Sequence, residues 1–186
     1  MASHRFTLVA LLFIEIFSSA SQIYAGSAIR GRIELHFSPF ASALETLQKQ
    51  IGYNFSNTNL LRRAMTHASY SEENNKALSI LGTHIIETSV SLHFLTKDID
   101  VSSKELNRLI SEVSNVNSSC ALDGKRLGLQ KIIRVSHKTD ASNSVIICGA
   151  FRAIFGAIAT DAEMVDDAIK VFWKVHGGQT GKVVSA

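Results

Sequence analysis

Two histidines are the residues of this chain whose side chains could most directly do chemistry, as metal ligands or as general acids and bases. His67 lies in the stretch THASY, and His84 lies inside an apolar run. A zinc site needs at least three protein ligands, and the sequence places no third ligand beside these two. We therefore expect the His67 ring to be hydrogen-bonded near a helix end and His84 to point away from the core.

The two cysteines and two glycosylation sequons carry chemistry only if the chain is secreted. Cys120 and Cys148 are the only cysteines, and two scattered thiols do not make a disulfide framework. The pattern favours two small apolar residues on separate helices, although an oxidising compartment would permit a disulfide between them. Asn54 and Asn117 each begin an Asn-x-Ser sequon, a signal that is meaningful only in a secreted chain.

The elements that position these residues are predicted to be helices of one domain. The 186 residues are 46% hydrophobic, which suffices for one well-filled core and is short for two. A single proline and the scarcity of alternating β-branched residues favour helix over sheet. The excess of 19 Lys and Arg over 16 Asp and Glu gives a net charge of +3, which favours an acidic partner such as RNA only slightly.

Apolar periodicity and capping residues predict where these helices begin and end. One helix should end at Gly52, and Asn57 should cap the next. A long core helix should bury Leu78, Leu81, Gly82, Ile85 and Leu92 at helical spacing. Capping-box spacing predicts two further starts, at Ser102 with Glu105 and at Thr160 with Glu163. A short helix should start at Ser118 or Ser119 and stop at Gly128.

The N-terminal segment has the layout of a secretory signal. Residues 1–25 combine a short basic start, an apolar run from Phe6 to Phe17 and small residues suited to cleavage after Ala20 or Ala25. Glu15 interrupts the apolar run, and an organelle transit peptide for a plastid or mitochondrion is the alternative. The run is too short for a stable transmembrane segment. Residues 26–40 are expected to be a linker, residues 41–176 the domain, and residues 177–186 a tail.

Two stretches of the domain resemble the ribonuclease III family. GYNFSNTNLLRRAMTHASY, followed by a polar loop and NKALSILGTHII, is similar to the family's opening and to its signature helix, N-E-R-L-E-F-L-G-D-A-V-L. Further on, VIICGAFRAIFGAIATD resembles the second motif, I-L-A-D-A-F-E-A-L-I-G-A-I-Y-L-D. The resemblance covers roughly residues 41–176 and implies an all-α ribonuclease III-like bundle. Within the family, the small single-domain plant proteins of the nuclear fusion defective type are the most similar.

The resemblance also shows which residues should hold the family's magnesium ion. Its four acidic positions correspond to Ser79, Thr83, Gly149 and Arg152 in this sequence, and none of these is acidic. Hard cations prefer carboxylate oxygens, and a guanidinium always carries a positive charge. We therefore predict no metal, no cofactor and no catalytic residue at these positions. Glu72 and Glu73 are expected to be solvated loop charges, and Glu87 is expected to form an ion pair with Arg152.

Three interpretations follow from this resemblance. The first is a catalytically degenerate domain that dimerises with itself or with a related protein, or binds double-stranded RNA, in nuclear fusion during plant reproduction. Its RNA-facing surface would include the pair Arg62 and Arg63, among basic residues at positions 104, 108, 125, 126, 131 and 134. The second is an active Mg²⁺-dependent double-stranded RNA endonuclease with other acids or a completing subunit. The third is a secreted or endomembrane interaction protein that never meets RNA.

Overall fold

A computed structural model of the chain describes residues 38–177, and these residues form seven α-helices. The predicted segment 1–25, most of the linker and residues 178–186 of the predicted tail 177–186 lie outside the described residues, while Gly177 ends the last helix. The helices are listed here in chain order: α1 Pro39–Ile51, α2 Thr58–Ala64, α3 Lys76–Leu95, α4 Ser103–Ser114, α5 Ala121–Arg126, α6 Ser144–Ala162 and α7 Val165–Gly177. A π-helical turn, Val116–Cys120, precedes α5, and a 3₁₀ turn, Leu129–Lys131, follows it. Within residues 38–177 the only β pairing is an isolated parallel bridge between Thr66 and Arg134.

Helix α6 lies at the centre of the bundle. Its residues from Ala153 to Ala159 are all buried, and the aromatic rings of Phe151, Phe155 and Phe172 meet edge to face inside the core. By length and hydropathy alone, both α3 and α6 could cross a membrane. Most of α6 is buried among the other helices. Its apolar side chains therefore form part of the domain core.

Helices α3 and α6 approach each other through two glycines. A methyl group added to Gly82 would overlap the backbone carbonyl of Arg152 on α6, and one added to Gly156 would overlap the carbonyl of Leu78 on α3. The helix backbones are therefore in direct contact at both points, and no side chain separates them. This contact fixes the distance between the two motif helices.

The buried stripe of α3 differs from the predicted stripe at two positions. Leu78, Gly82 and Ile85 are buried as expected, but Leu81 and Leu92 are exposed. With 3.6 residues per turn, the stripe follows the series that includes Ile86, Ser89 and Val90 instead. Leu81 and Leu92 lie at the edge of that stripe, so spacing alone placed them too far inward.

Most of the predicted helix ends are confirmed. Gly52 ends α1 in a left-handed conformation, and Gly128 adopts the same conformation after α5. The Asn57 side chain accepts a hydrogen bond from Asn59 N at 3.1 Å and caps α2. The Ser102 hydroxyl accepts one from Glu105 N at 3.2 Å and caps α4. Helix α1 begins at Pro39, so the last two residues of the predicted linker belong to it.

Two predicted helix starts are wrong. The hydroxyl of Thr160 donates to the Gly156 carbonyl inside α6, and the turn into α7 is made by Glu163 with φ of 54°. Helix α7 begins at Val165, so the predicted start at Thr160 lies about one turn too early. The π-helical turn is capped by Asn115, whose side-chain oxygen accepts hydrogen bonds from the backbone N–H groups of Asn117 and Ser118. The predicted cap at Ser118 or Ser119 is therefore one turn too late.

The cysteines correct a further prediction, because Cys120 and Cys148 form a disulfide. Their Cα atoms are 5.1 Å apart, and both residues are buried. The bond joins the π-helical turn to α6 across a sequence separation of 28 residues. Closing a loop of this length stabilises a fold by about 3 to 4 kcal/mol in the chain-entropy account. Spacing in the sequence could not show that the two Cβ atoms face each other.

The glycine contact predicts opposite effects for two alanine substitutions. Gly82→Ala should lower the free energy of unfolding by about 1–3 kcal/mol, because the added methyl group must push α3 away from the α6 backbone. Gly149→Ala is the matched control, because its methyl group would meet nothing nearer than the Ser79 hydroxyl at 4.0 Å. Better helix propensity should make that variant neutral or up to about 1 kcal/mol more stable.

Urea denaturation followed by circular dichroism measures both variants. Equal destabilisation by the two substitutions would contradict the close approach of α3 and α6.

Candidate functional site

The structure brings Ser79 and Gly149 together across the contact between α3 and α6. A cavity of about 300 Å³ lies there, and we call it the Ser79 pocket. Its lining residues are His67, Asn75, Lys76, Ser79, Ile80, Val145, Ile146 and Gly149. Two of the four positions that correspond to the family's acids therefore share one cavity, as the alignment of motifs predicts.

The hydroxyl groups on α3 bring no charge to this region. Thr83 lies one turn after Ser79, and its hydroxyl donates to the Ser79 backbone carbonyl at 2.9 Å. In this arrangement the hydroxyl group spends its hydrogen bond on a backbone carbonyl of its own helix. Gly149 has no side chain, and the nearest atom to its missing Cβ is the Ser79 hydroxyl oxygen. Three of the four positions are thus electrically neutral.

The fourth position, Arg152, is half-buried and points a guanidinium group at helix α4. Its Nη2 donates to the backbone carbonyl of Ser114 at 2.7 Å, so it satisfies a carbonyl at the end of α4. Burial lowers the pKa of Arg152, and the negative charge of Glu87 opposes that shift. The guanidinium nevertheless stays charged at neutral pH.

The predicted ion pair between Glu87 and Arg152 is wrong. Among the described residues, Glu87 lies 3.8 Å from Nδ1 of His84, on its own helix. Arg152 uses the Ser114 carbonyl instead, because the end of α4 lies within its reach and offers an unpaired acceptor. Helical spacing identified two residues on neighbouring surfaces but could not show where α4 ends.

Acidic residues do not converge on the pocket from elsewhere in the described part of the chain. No group of three His, Cys, Asp or Glu side chains within residues 38–177 could hold a metal ion. Glu72 and Glu73 are exposed in the loop before α3, as expected. Asp123 is buried, but it is bound by Arg126 and by Nδ1 of His176 at 2.7 Å.

Both histidine predictions are confirmed in their geometry. The Nδ1 atom of His67 accepts a hydrogen bond from Ser69 N at 3.1 Å, just after α2 ends, and lies 2.9 Å from the Ser69 hydroxyl. Burial and the charge of Lys76 lower the pKa of His67. His84 points away from the core into solvent. His67 also lines the Ser79 pocket.

The predicted basic surface is divided among several internal contacts. Arg62 and Arg63 are both exposed, and Arg63 Nε donates to the Asn74 carbonyl at 3.1 Å. Arg108 is held by two glutamates of α4, and Arg126 by Asp123. Arg134 donates to the Thr66 hydroxyl and lies over the rings of Phe40 and Tyr70 at 4.4 and 4.8 Å. Such cation–π contacts hold a guanidinium inside the fold.

Sequence reasoning missed the structural role of one acid of α6, Asp161. Its carboxylate accepts hydrogen bonds from the backbone N–H groups of Ser56 and Asn57 at 2.9 and 2.8 Å, and from the Tyr53 hydroxyl at 3.0 Å. These bonds outweigh the effect of burial and lower the pKa of Asp161, while burial and the carboxylate raise the pKa of Tyr53 to about 12. The position of Asp161 as the last residue of the second motif was the sequence feature that could have indicated this role.

Comparison with known proteins gives a family match and close relatives. A family model described as Ribonuclease-III-like matches residues 57–174. Protein NUCLEAR FUSION DEFECTIVE 2 from Arabidopsis thaliana is 70% identical over 189 aligned residues, covering 100% of this chain and 99% of that protein. Ribonuclease 3 from Phenylobacterium zucineum is 32% identical, covering 65% of this chain and 54% of the bacterial protein. The chain thus spans about half the length of that enzyme.

Solved structures agree with the helical fold. The nuclease domain of ribonuclease III from Campylobacter jejuni, described as flexible in the region involved in dimer formation, superposes with a TM-score of 0.68 at 26% identity. The superposition covers 73% of this chain and 96% of that domain. A second crystal structure of the same nuclease domain gives a TM-score of 0.68 at 25% identity. The predicted all-α ribonuclease III-like bundle is therefore confirmed.

The contacts of Asp161 predict acid-sensitive stability. Asp161→Asn should cost about 1–2 kcal/mol at pH 7, because a half-buried carboxylate that accepts three hydrogen bonds is replaced by a neutral amide. A carboxyl whose folded pKa is lowered stabilises the fold above its unfolded pKa, near 4, and loses that contribution as pH falls through the folded pKa. The difference between wild type and variant should therefore shrink below about pH 4.

Urea unfolding from pH 7 to pH 3 measures the difference in the free energy of unfolding between wild type and variant. Asp100→Asn is the control, because Asp100 is exposed. A loss in the Asp161 variant that is constant over this pH range would contradict the assignment.

Proposed function

The chain belongs to the ribonuclease-III-like family, and from that premise we propose that it is a member without nuclease activity that works as a dimerising interaction protein in nuclear fusion. The observation that carries the proposal is the bond between Arg152 and the Ser114 carbonyl. This bond places a fixed positive charge where the family resemblance calls for a carboxylate.

Electrostatics supports the loss of nuclease activity. Magnesium serves phosphodiester hydrolysis by activating water and by shielding the phosphate, and carboxylates must hold the ion against its hydration. Ser79 and Thr83 supply neutral hydroxyls, and Gly149 supplies no ligand atom. Two positive charges about 4 Å apart repel by about 4 kcal/mol at an intermediate dielectric, and the double charge of the metal increases the repulsion from Arg152. The Ser79 pocket is thus unsuited to magnesium.

The setting in nuclear fusion rests on the Arabidopsis relative. That protein carries the name NUCLEAR FUSION DEFECTIVE 2 and aligns with this chain from end to end at 70% identity. Two proteins that are this similar share their fold. We therefore assign this chain to the same process.

Dimerisation with a second copy is supported by an apolar surface beside the Ser79 pocket. Ile80 is 64% exposed and Val145 is 67% exposed, although both line the cavity, and Leu81 is also exposed. Neighbouring exposed apolar side chains of this size are typical of an interface. The Campylobacter nuclease domain contains a region involved in dimer formation, which makes a second copy of this chain the occupant we propose. A heterodimer with a related protein would use the same surface.

Duplex RNA is the alternative ligand, and RNA cleavage is the alternative activity. The exposed pair Arg62 and Arg63 could contact phosphate groups. Three other predicted RNA-facing guanidiniums are paired within the chain: Arg126 with Asp123, Arg134 with Thr66, and Arg108 with Glu105 on the exposed surface. These internal contacts favour a protein partner over RNA.

The lack of a metal-binding group within residues 38–177 predicts a specific result for a nuclease assay. The purified full-length protein should not cut double-stranded RNA in the presence of Mg²⁺, and isothermal calorimetry should detect no Mg²⁺ binding. The variant Ser79→Glu, Thr83→Asp, Gly149→Asp and Arg152→Glu should gain measurable Mg²⁺ affinity, because carboxylates would then occupy the four positions that correspond to the family's acids. Arg152→Gln is the control, since it removes the positive charge but adds no ligand charge.

Magnesium-dependent cutting of double-stranded RNA by the wild-type protein would establish the alternative activity and overturn the proposed loss of nuclease activity. Circular dichroism should first show that each variant keeps its helices.

The apolar surface predicts where a charge should disrupt the dimer. Ile80→Lys should weaken the dimer at least about tenfold, because a charged side chain would have to be buried in the interface at a cost above about 1.4 kcal/mol. Leu122→Lys is the matched control, because Leu122 is 52% exposed on α5, outside the Ser79 pocket. Sedimentation equilibrium measures both. Equal weakening by the two substitutions, or a wild-type monomer at micromolar concentration, would contradict the proposed surface.

A further inference from the structure

The disulfide between Cys120 and Cys148 carries information about the compartment in which this domain folds. Disulfides persist in oxidising compartments and are rare where glutathione and thioredoxin keep thiols reduced. Both cysteines are almost fully buried, at 2% and 1% exposure, so the bond belongs to the packed core. It forms when two thiols lose two protons and two electrons to a disulfide-bearing oxidoreductase, which becomes a dithiol.

The sequon at Asn117 lies on the same π-helical turn as Cys120. Asn117 is exposed, and its side-chain amide makes no hydrogen bond with the residues that the structure describes. Its neighbour Asn115 differs, because its amide oxygen caps the turn. Asn54 is also exposed and free of side-chain hydrogen bonds within residues 38–177. Both sequon asparagines could therefore carry a bulky group without loss of a contact.

The hydroxyl of the Asn117 sequon is an independent observation that points to the same modification. The Ser119 hydroxyl oxygen is buried and finds no hydrogen-bond partner among the described residues. An unpaired buried hydroxyl destabilises a fold, so a role outside the folded state would account for it. Recognition of a sequon on the unfolded chain requires that hydroxyl, and folding buries it afterwards.

We propose that this domain folds in the secretory pathway and carries N-linked glycans at Asn117 and Asn54. In each reaction the Asn amide nitrogen forms a bond to the anomeric carbon of a lipid-linked oligosaccharide. The bond between that carbon and the lipid diphosphate breaks, the diphosphate leaves, and the amide gives up one proton. The predicted signal at residues 1–25 would deliver the chain to this compartment.

Glycosidase treatment of the full-length chain produced in plant cells tests this inference. The wild-type band should move in two steps on partial digestion, Asn54→Gln and Asn117→Gln should each lack one step, and the double variant should not move. Asn107→Gln is the matched control, because Asn107 is exposed but begins no sequon. Ser119→Ala should abolish the step that depends on Asn117, and Ser119→Thr should keep it, which separates modification from folding.

Thiol labelling gives a second readout on the same samples. A maleimide polyethylene glycol should add no label to the denatured protein before reduction and two labels after reduction. A wild-type band that does not respond to glycosidase and matches the double variant would overturn the proposal, as would two free thiols before reduction. If the wild-type band moves in one step and not two, the assignment of a glycan to the asparagine whose step is missing is overturned.

Discussion

The contact between the backbones of α3 and α6 is the constraint on which the other features of this domain depend. Gly82 faces the backbone of Arg152, and Gly156 faces that of Leu78, so a side chain at either glycine would separate the helices. Because α6 is the central helix, its distance from α3 sets the positions of the surrounding helices. The same contact places Ser79 opposite Gly149 and thereby creates the Ser79 pocket.

The scaffold of this domain does not depend on the residue types at the four motif positions. The glycine contact, the buried face of α6 and the cap at Asn57 depend on shape and backbone hydrogen bonding, and none of them needs a carboxylate in the pocket. A metal ion would cross-link α3 and α6. Here α6 is instead tied to α4 by Arg152 and to the π-helical turn by a disulfide. These ties hold α6 against α4 and the π-helical turn, while the two glycines hold it against α3.

Charged groups in this domain are satisfied locally. Asp161 closes the loop before α2, Asp123 joins α5 to α7 through His176, and Arg134 fills the space between two aromatic rings. A buried charge is tolerated only with partners of this kind, because its loss of hydration must be offset by hydrogen bonds or by an opposite charge. The exposed surface near the Ser79 pocket is correspondingly apolar, which suits association with a protein.

The sequence by itself determined the helical class, the family resemblance, most of the helix ends and the chemical types at the four motif positions. These properties depend on local periodicity, on capping and on residue identity, all of which can be read from neighbouring positions. Only the tertiary structure decided that Cys120 meets Cys148, that Arg152 binds the Ser114 carbonyl and not Glu87, and that Leu81 faces solvent. Each of these depends on the distance and rotation between helices that are far apart in the chain, and helical spacing does not contain that information.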